Sequence, residues 1–271
     1  MEEINQHNVE EVTEVQEIPV PKKKTMTLSR LNLALSSLSL ALIATGAFFV
    51  WGPVGQYRIT DPQVDGYVQP RSIANLVKLV QNSTVTVYCD YGDSDYVGQG
   101  SGWAMDIVTD RQDVYPTAIV TNHHVIEKCM DEKGVITVAA LGGEEFPAII
   151  DNWDIENDLA VVATKLKVEP LELSAYPPYP GYWVMAIGTA DGNEGSVAFG
   201  NILNSTDTEV FITAALSHGN SGGPLVDNEG NVIGTNSWIN NIEQYNGAKS
   251  LDAMCRGIME CEGDTYWDWE D

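Results

Sequence analysis

Residues 219–226 read G-N-S-G-G-P-L-V, and Ser217 and His218 stand directly before them. Glycine, asparagine and proline at this density predict a tight turn. Glycine tolerates positive φ, so consecutive backbone N–H groups of such a turn can converge beside its central serine. A serine hydroxyl becomes a nucleophile only with an imidazole to take its proton, a carboxylate to orient the imidazole and N–H donors for the oxyanion. Ser221 is therefore either an ordinary turn residue or a nucleophile presented by the turn.

Few imidazoles are available to act as its base. The chain has four histidines, of which His7 lies in the N-terminal tail and His218 lies beside the turn itself. The other two, His123 and His124, are adjacent in the stretch T-N-H-H-V-I. Since a general base for serine is most often histidine, the candidates are limited to these positions.

Three stretches together resemble the signatures of trypsin-like serine proteases, with the HtrA/Deg branch as the nearest pattern. They are T-N-H-H-V-I at 121–126, N-D-L-A-V-V at 157–162 and G-N-S-G-G-P-L-V at 219–226. Their order along the chain is histidine, aspartate, serine, which is the order of that family. The resemblance covers residues 75–240 approximately and includes G-S-G-W at 100–103. It implies an endopeptidase that acts on proteins or peptides and needs no cofactor or metal.

The resemblance assigns one role to each member of a catalytic triad. His124 would be the general base because it directly precedes the valine of its motif, which leaves His123 a structural residue. Asp158 would orient the imidazole; Asp151 and Asp154 are nearby rivals, but only Asp158 directly precedes the apolar run. Ser221 would be the nucleophile.

The same resemblance implies an oxyanion hole and a substrate pocket. The oxyanion hole would consist of the N–H groups of Gly219 and Ser221, with Asn220 between them. Ala215 would form the base of the primary pocket, and since it carries no carboxylate, cleavage after Lys or Arg is not expected. The pocket would further include Leu216, Ser237, Trp238 and Ile239, which predicts cleavage after small or medium apolar residues.

Asn220 also bears on activation. Proteases that are activated by clipping have an aspartate before the serine, and this aspartate pairs with the new N-terminal amine. A neutral asparagine cannot form that ion pair, so no activation by N-terminal cleavage is expected. His218 replaces a proline that is usual in HtrA-type sequences, and it is interpreted as an exposed turn residue, with a pH-sensitive role as the alternative.

Short apolar, β-branched runs separated by Gly, Asn, Asp and Pro predict an all-β body. The fold implied by the family is two packed six-stranded β-barrels over residues 71–260, with a short helix beginning near Arg71. Ligand clefts of such folds lie between the packed bodies.

The N-terminal region predicts a membrane anchor. Residues 1–30 form an acidic tail that ends in a basic flank, and 31–51 carry no charge in 21 positions. A helix of that length spans about 30 Å, the thickness of the bilayer core. The positive-inside rule places the N-terminus in the cytoplasm and the protease domain outside. A cleaved signal peptide is the rival interpretation, and residues 52–70 are expected to be a linker.

Four cysteines, Cys89, Cys129, Cys255 and Cys261, allow two disulfides in three connectivities. A Cys89–Cys129 bridge would resemble the one that ties the histidine loop of many trypsin-like enzymes, and the remaining pair would close a short loop. Their spacing does not favour a zinc site. Residues 261–271 are expected to be an acidic, aromatic and flexible tail, or a peptide that docks on a partner.

The composition excludes one class of partner and leaves alternatives to an enzyme. With 14 Lys+Arg, 39 Asp+Glu and a formal net charge of -25, the chain would repel a phosphate backbone, so nucleic-acid binding is not expected. The alternatives are an inactive protease-fold scaffold and a protein-quality-control factor. The resemblance also implies a homo-oligomer, since HtrA relatives often form trimers.

Overall fold

The computed structural model describes residues 28–51, 66–92, 97–131, 133–240, 242–243, 245–261, 263 and 265–267. The chain divides into two units, Met1–Ile59 and Thr60–Asp271. Most of the predicted acidic tail, residues 52–65 of the predicted linker, and residues 268–271 lie outside the described part.

The described element of the first unit is helix α1, Leu28–Trp51. It covers the uncharged run that the sequence analysis assigned to a membrane anchor. Across the described residues, we find no helix that combines the length and the hydropathy needed to cross a bilayer.

The second unit begins with helix α2, Ile73–Ser83, close to where the sequence predicts a short helix. It buries Leu76 and Val80, which lie one turn apart on the same face. Strands of the first barrel follow it. They are β1 Thr84–Asp90, β2 Val97–Met105, β3 Thr117–Thr121, β4 Val135–Ala140, β5 Glu145–Asp154 and β6 Leu159–Thr164. The short helix α3, His123–Ile126, directly follows β3.

All pairings in the first barrel are antiparallel, and the strand order β1-β2-β3-β6-β5-β4 closes because β1 also pairs with β4. The second barrel closes in the order β10-β11-β12-β9-β8-β7. Its strands are β7 Trp183–Ala190, β8 Asn193–Ser205, β9 Glu209–Ile212, β10 Pro224–Val226, β11 Val232–Asn240 and β12 Tyr245–Ser250. Helix α4, Leu251–Gly257, comes next. The expected pair of six-stranded barrels is therefore confirmed.

The apolar core has three parts. One lies inside each barrel, around Ile119 and Val162 in the first and around Ile212 and Leu225 in the second. The third part joins the barrels, since it contains Trp103 of the first as well as residues of α2, β7 and α4. This shared core fixes the barrels against each other, and the cleft between them can hold a rigid site.

Both disulfides have the expected pairing. Cys89–Cys129 links β1 to the turn after α3, with an S–S distance of 2.09 Å, and Cys255–Cys261 closes the loop after α4 at 2.02 Å. The first bridge therefore fastens the segment that carries the histidine pair to the wall of the first barrel.

The expectation of a flexible C-terminal tail is wrong as far as Trp267. This side chain is 3% exposed and belongs to the core that joins the barrels. Its indole Nε1 donates to the Ser174 carbonyl at 3.1 Å, and the buried Asp252 carboxylate accepts from the Tyr266 and Trp267 backbone N–H groups. The acidic composition of this stretch predicts a solvated tail, although the stretch contains Trp267, a large apolar side chain that is buried in the core.

Candidate active site

His124 is presented at the mouth of the cleft by the short helix α3. Asn122, directly before the helix, is fully buried, and its side-chain amide donates to the Asp158 carbonyl at 2.7 Å. This bond fastens the start of α3 to the segment before β6. His123 is buried and His124 is exposed, so only the second imidazole faces the cleft.

Asp158 holds the His124 residue at two points. Its Oδ1 accepts the His124 backbone N–H at 2.9 Å, and its Oδ2 lies 2.8 Å from the ring Nδ1. Asp158 has a φ of 53°, in the left-handed region that aspartate tolerates better than most residues. This conformation ends the preceding turn and lets the side chain fold back towards α3. The contact fixes the Nδ1–H tautomer and leaves Nε2 as the basic nitrogen.

Burial raises the pKa of the Asp158 carboxyl, but the hydrogen bonds and charge of His124 and the Ser237 hydroxyl outweigh it and leave the pKa below its ordinary value. The carboxylate therefore stays ionised opposite the imidazole. The two rival aspartates are engaged elsewhere. Asp154 accepts from Glu156 and Asn157 in its own turn, and Asp151 accepts the Asp110 N–H.

Ser221 lies on the other side of the cleft, in the turn before β10. Its hydroxyl donates to the Ser237 carbonyl at 3.0 Å, and its own carbonyl accepts from the Ser101 N–H at 2.8 Å. The β11–β12 register shifts between Asn236 and Trp238, so Ser237 is the extra residue of a bulge. The bulge aims the Ser237 hydroxyl at Asp158 Oδ2, 2.8 Å away. Ser237 thus bonds the Asp158 carboxylate through its hydroxyl and the Ser221 hydroxyl through its carbonyl.

Two N–H groups of the turn are available beside Ser221. In the part of the chain that the structure describes, neither the Gly219 nor the Ser221 backbone N–H donates to a protein acceptor. The intervening Asn220 N–H donates to the Ser217 carbonyl at 3.1 Å. Asn220 is buried, and its Oδ1 accepts from the Ser196 hydroxyl at 3.3 Å. Asn220 thus lies between the two open donors with its own N–H and side chain engaged.

The residues assigned to the substrate pocket fall into two groups. Ala215 is exposed and Leu216 is half-buried, in the segment between β9 and the turn. Ile239 and Trp238 are half-buried on β11, and the Trp238 indole donates to Glu209 Oε2 at 2.9 Å. Ser237 was assigned to the pocket wall, but its side chain is directed to Asp158 instead.

Trp238 belongs to an aromatic cluster beside this region. Phe211 and Tyr245 pack edge-on against it, with ring centroids 5.8 Å away in both cases. The cluster and Ile239 thus place apolar side chains next to Ser237 on β11.

Sequence reasoning missed the supporting roles of Asn122 and Ser101, and it placed Ser237 in the pocket wall rather than beside Asp158. Asn122 lies within the quoted T-N-H-H stretch, so its position next to the histidine was a usable signal. Ser101 likewise lies within the quoted G-S-G-W stretch, but neither its contact between the barrels nor the bulge at Ser237 can be seen in local sequence.

Comparisons with known proteins identify a related family. The family described as "Trypsin-like peptidase domain" matches residues 100–234. Among curated proteins, a "Probable periplasmic serine endoprotease DegP-like" from Chlamydia pneumoniae is 37% identical over 134 residues, which are 45% of this chain and 26% of that protein. "Serine protease HTRA3" from Mus musculus is 26% identical over 264 residues, which are 89% of this chain and 54% of that protein. The chain thus spans about a quarter to half of the length of these relatives.

Solved structures show the same fold. A serine endoprotease from Yersinia pestis superposes with a TM-score of 0.56 at 27% identity, covering 67% of this chain and 63% of that one. A protease from M. tuberculosis in its active form superposes with a TM-score of 0.58 at 22% identity, covering 69% and 86%. Residues 100–234 therefore match a trypsin-like peptidase domain, and HtrA- and DegP-like serine proteases are among the proteins that the chain resembles.

Proposed function

We propose that the chain is a serine endopeptidase in which Ser221 is the nucleophile, His124 the general base and Asp158 the orienting carboxylate. One observation carries the proposal. An imidazole is held through Nδ1 by a carboxylate, and Ser237 bonds both that carboxylate and the hydroxyl of Ser221. The backbone N–H of Ser221 and that of Gly219 are open donors in the same turn. Each part of the arrangement has a use in acyl transfer, and together they have no comparable use in a structural turn.

The first chemical step is attack by Ser221 Oγ on the carbonyl carbon of the substrate. The hydroxyl now donates to the Ser237 carbonyl, so it turns about its Cα–Cβ bond to present its proton to His124 Nε2. The proton moves to Nε2 as the C–O bond forms, and Asp158 stabilises the resulting imidazolium. The imidazolium then protonates the leaving amine, and the C–N bond breaks to give an acyl-enzyme.

Water then hydrolyses the acyl-enzyme, and His124 acts on water as it first acted on Ser221. His124 takes a proton from water, which attacks the acyl carbon, and the proton then returns to Ser221 Oγ. The negative oxygen of both tetrahedral intermediates would lie against the N–H groups of Gly219 and Ser221. Loss of one such donor typically reduces kcat by about 10²–10³-fold.

The preferred residue before the cleaved bond is proposed to be small or medium and apolar. Ala215 offers no charge to a Lys or Arg side chain, and Ile239 adds bulk on the opposite wall. The Asn246 amide on β12 donates to the Ala214 carbonyl at 2.7 Å, so it is not free to bind a charged substrate side chain. A peptide-library cleavage profile tests this, and a preference for Lys or Arg would contradict it.

The proposed enzyme needs no clipping at the N-terminus for activity. The side chain of Asn220 has an internal partner in Ser196 and, being neutral, cannot pair with a new terminal amine. We expect the full chain and a chain cut after residue 60 to hydrolyse a peptide at similar rates. A gain of orders of magnitude on cutting would contradict this.

The domain is proposed to work outside the cytoplasm, tethered by the segment 31–51. Two disulfides support an oxidising compartment, and the uncharged run of 31–51 behind Lys22–Lys24 and Arg30 supports a tether. The periplasmic assignment in the name of the Chlamydia relative agrees with this. Alkaline carbonate extraction of membranes tests the tether, since a peripheral protein would be released. Size-exclusion chromatography with light scattering tests the trimer that the resemblance implies.

Reaction with a fluorophosphonate probe and hydrolysis of a peptide test the triad. We expect labelling of the intact chain at Ser221, loss of labelling in Ser221→Ala and His124→Ala, and a rate loss of about 10⁴-fold or more. His123→Ala is the matched control, because it removes the neighbouring imidazole and should retain most of the rate. An intact chain that neither labels nor cleaves would favour the scaffold alternative.

A further inference from the structure

We propose that Ser101, a residue of the first barrel, is a positioning residue that holds the oxyanion turn of the second barrel with its N–H donors facing the cleft. This inference rests on the proposed function, since it concerns how the same site is kept competent. The oxyanion turn is defined here as residues 217–221.

Three contacts connect Ser101 to the turn and its support. Ser101 lies on β2 and is fully buried. Its Oγ donates to the Gly219 carbonyl at 2.6 Å and accepts the Thr189 backbone N–H at 2.9 Å. Its own N–H donates to the Ser221 carbonyl at 2.8 Å. One residue therefore holds two carbonyl oxygens of the turn from behind.

The orientation of a carbonyl decides where the next N–H points. In a trans peptide the two groups lie on opposite sides of the chain, so a carbonyl held from behind turns the following N–H away from its holder. The His218 carbonyl accepts from the Asp191 N–H at 2.6 Å, so the Gly219 N–H points away from Asp191. The next carbonyl, that of Gly219, is the one that Ser101 holds.

Gly219 makes the two successive restraints compatible. Its φ of +93° lies in the region that favours glycine, and a Cβ there would stand 2.2 Å from the Thr189 carbonyl oxygen. The turn therefore packs directly on the end of β7, where Thr189 bonds Ser101 and Asp191 bonds His218. Gly219 therefore has a held peptide on each side, the His218–Gly219 peptide by Asp191 and the Gly219–Asn220 peptide by Ser101. A rotation of the Gly219 backbone that withdrew its N–H from the cleft would disturb one of these two bonds.

A purely structural role makes a different prediction from a positioning role. If Ser101 only joined the barrels, its loss would lower stability and leave turnover per folded molecule unchanged. Thr86 provides the matched control, because it is buried and its hydroxyl bonds the Thr189 hydroxyl at 2.7 Å. Thr86→Val removes a contact between the barrels at the same strand end without touching a carbonyl of the turn.

The test compares kcat, KM and affinity for a peptide boronate in the full chain, with active sites counted by a fluorophosphonate. Ser101→Ala should reduce kcat by about 10²-fold and weaken boronate binding in parallel, with KM within about threefold. Thr86→Val should keep kcat within about twofold. Ser101→Cys retains the size of the side chain but has a weaker donor, so its kcat and boronate affinity should lie between those of wild type and Ser101→Ala. This variant provides the test if Ser101→Ala does not fold.

Failure of the inference and failure of the proposed function give different results. Wild-type kcat and boronate affinity in Ser101→Ala, within twofold, would overturn the positioning role while the enzyme remained an enzyme. A wild-type chain without hydrolysis or labelling would instead overturn the proposed function. A crystal structure of Ser101→Ala decides the positioning role in either case. The inference requires the backbone of Gly219, including its N–H, to be turned from its present orientation, and it fails if the oxyanion turn is unchanged.

Discussion

Replacement of Trp267 by alanine should destabilise the domain strongly, although the residue lies in a stretch of acidic composition. A buried tryptophan removes 150–250 Å² from water, worth about 4–6 kcal/mol at roughly 25 cal/mol per Å². Trp267 is 3% exposed, and Trp→Ala substitutions in cores typically cost about 3–5 kcal/mol. The change also leaves the Ser174 carbonyl without its indole donor. We expect a loss of about 4 kcal/mol in unfolding free energy and a fall in Tm of about 8–16 °C.

Urea and thermal unfolding followed by far-UV circular dichroism measure this loss without relying on tryptophan fluorescence. Trp153→Ala is the matched control, because its side chain is 46% exposed on β5 and should lose at most about half as much. Equal effects of the two substitutions, or a Trp267→Ala loss below about 1 kcal/mol, would refute the docking of the C-terminal segment on the core.

Three further predictions concern the site. Because the folded pKa of Asp158 is lowered, its stabilisation is present above the ordinary aspartate value of about 3.9 and is lost as pH falls through the folded value. The stability difference between wild type and Asp158→Asn should therefore shrink below about pH 4 in urea titrations, and a widening gap would contradict this. Gly222→Ala should abolish labelling by fluorophosphonate, since a Cβ would meet the Ser101 carbonyl oxygen at 2.1 Å and φ is +89°; retained labelling would contradict the turn geometry. Gly247→Ala should alter the cleavage profile in a peptide library, because a Cβ would meet the Trp238 ring at 2.1 Å; an unchanged profile would separate Trp238 from substrate binding.

The fold and the pairing of His124 with Asp158 could be predicted from sequence because each depends on short motifs. Asp158 directly precedes the buried strand β6, and His124 lies in the short helix that follows β3. Local geometry therefore fixes each residue relative to its own strand. Short apolar runs and turn residues predicted an all-β body, and the family resemblance implied the two six-stranded barrels. Strand β2 was harder to predict, because glycine occupies alternate positions in its first half and interrupts the apolar pattern of a strand.

The supporting contacts of the site and the position of the C-terminal segment could not be predicted, because they depend on contacts between distant segments. Ser237 is aimed at Asp158 by a bulge, and register shifts are set by the partner strand, which local sequence does not show. Ser101 joins strands of two barrels, and Trp267 reaches Ser174 across 93 positions. Such contacts are decided by packing of the whole domain and leave no pattern within a short stretch.

The division of the site between two barrels has a consequence for the chain during its synthesis. The first barrel holds the imidazole and the carboxylate, and the second holds the serine and the oxyanion turn. A nascent chain with only its first barrel formed has no presented nucleophile, and a chain whose first barrel is unfolded has no oriented base. The proposed protease thus gains activity only when both halves have folded and packed, which protects unfinished and neighbouring chains from self-digestion.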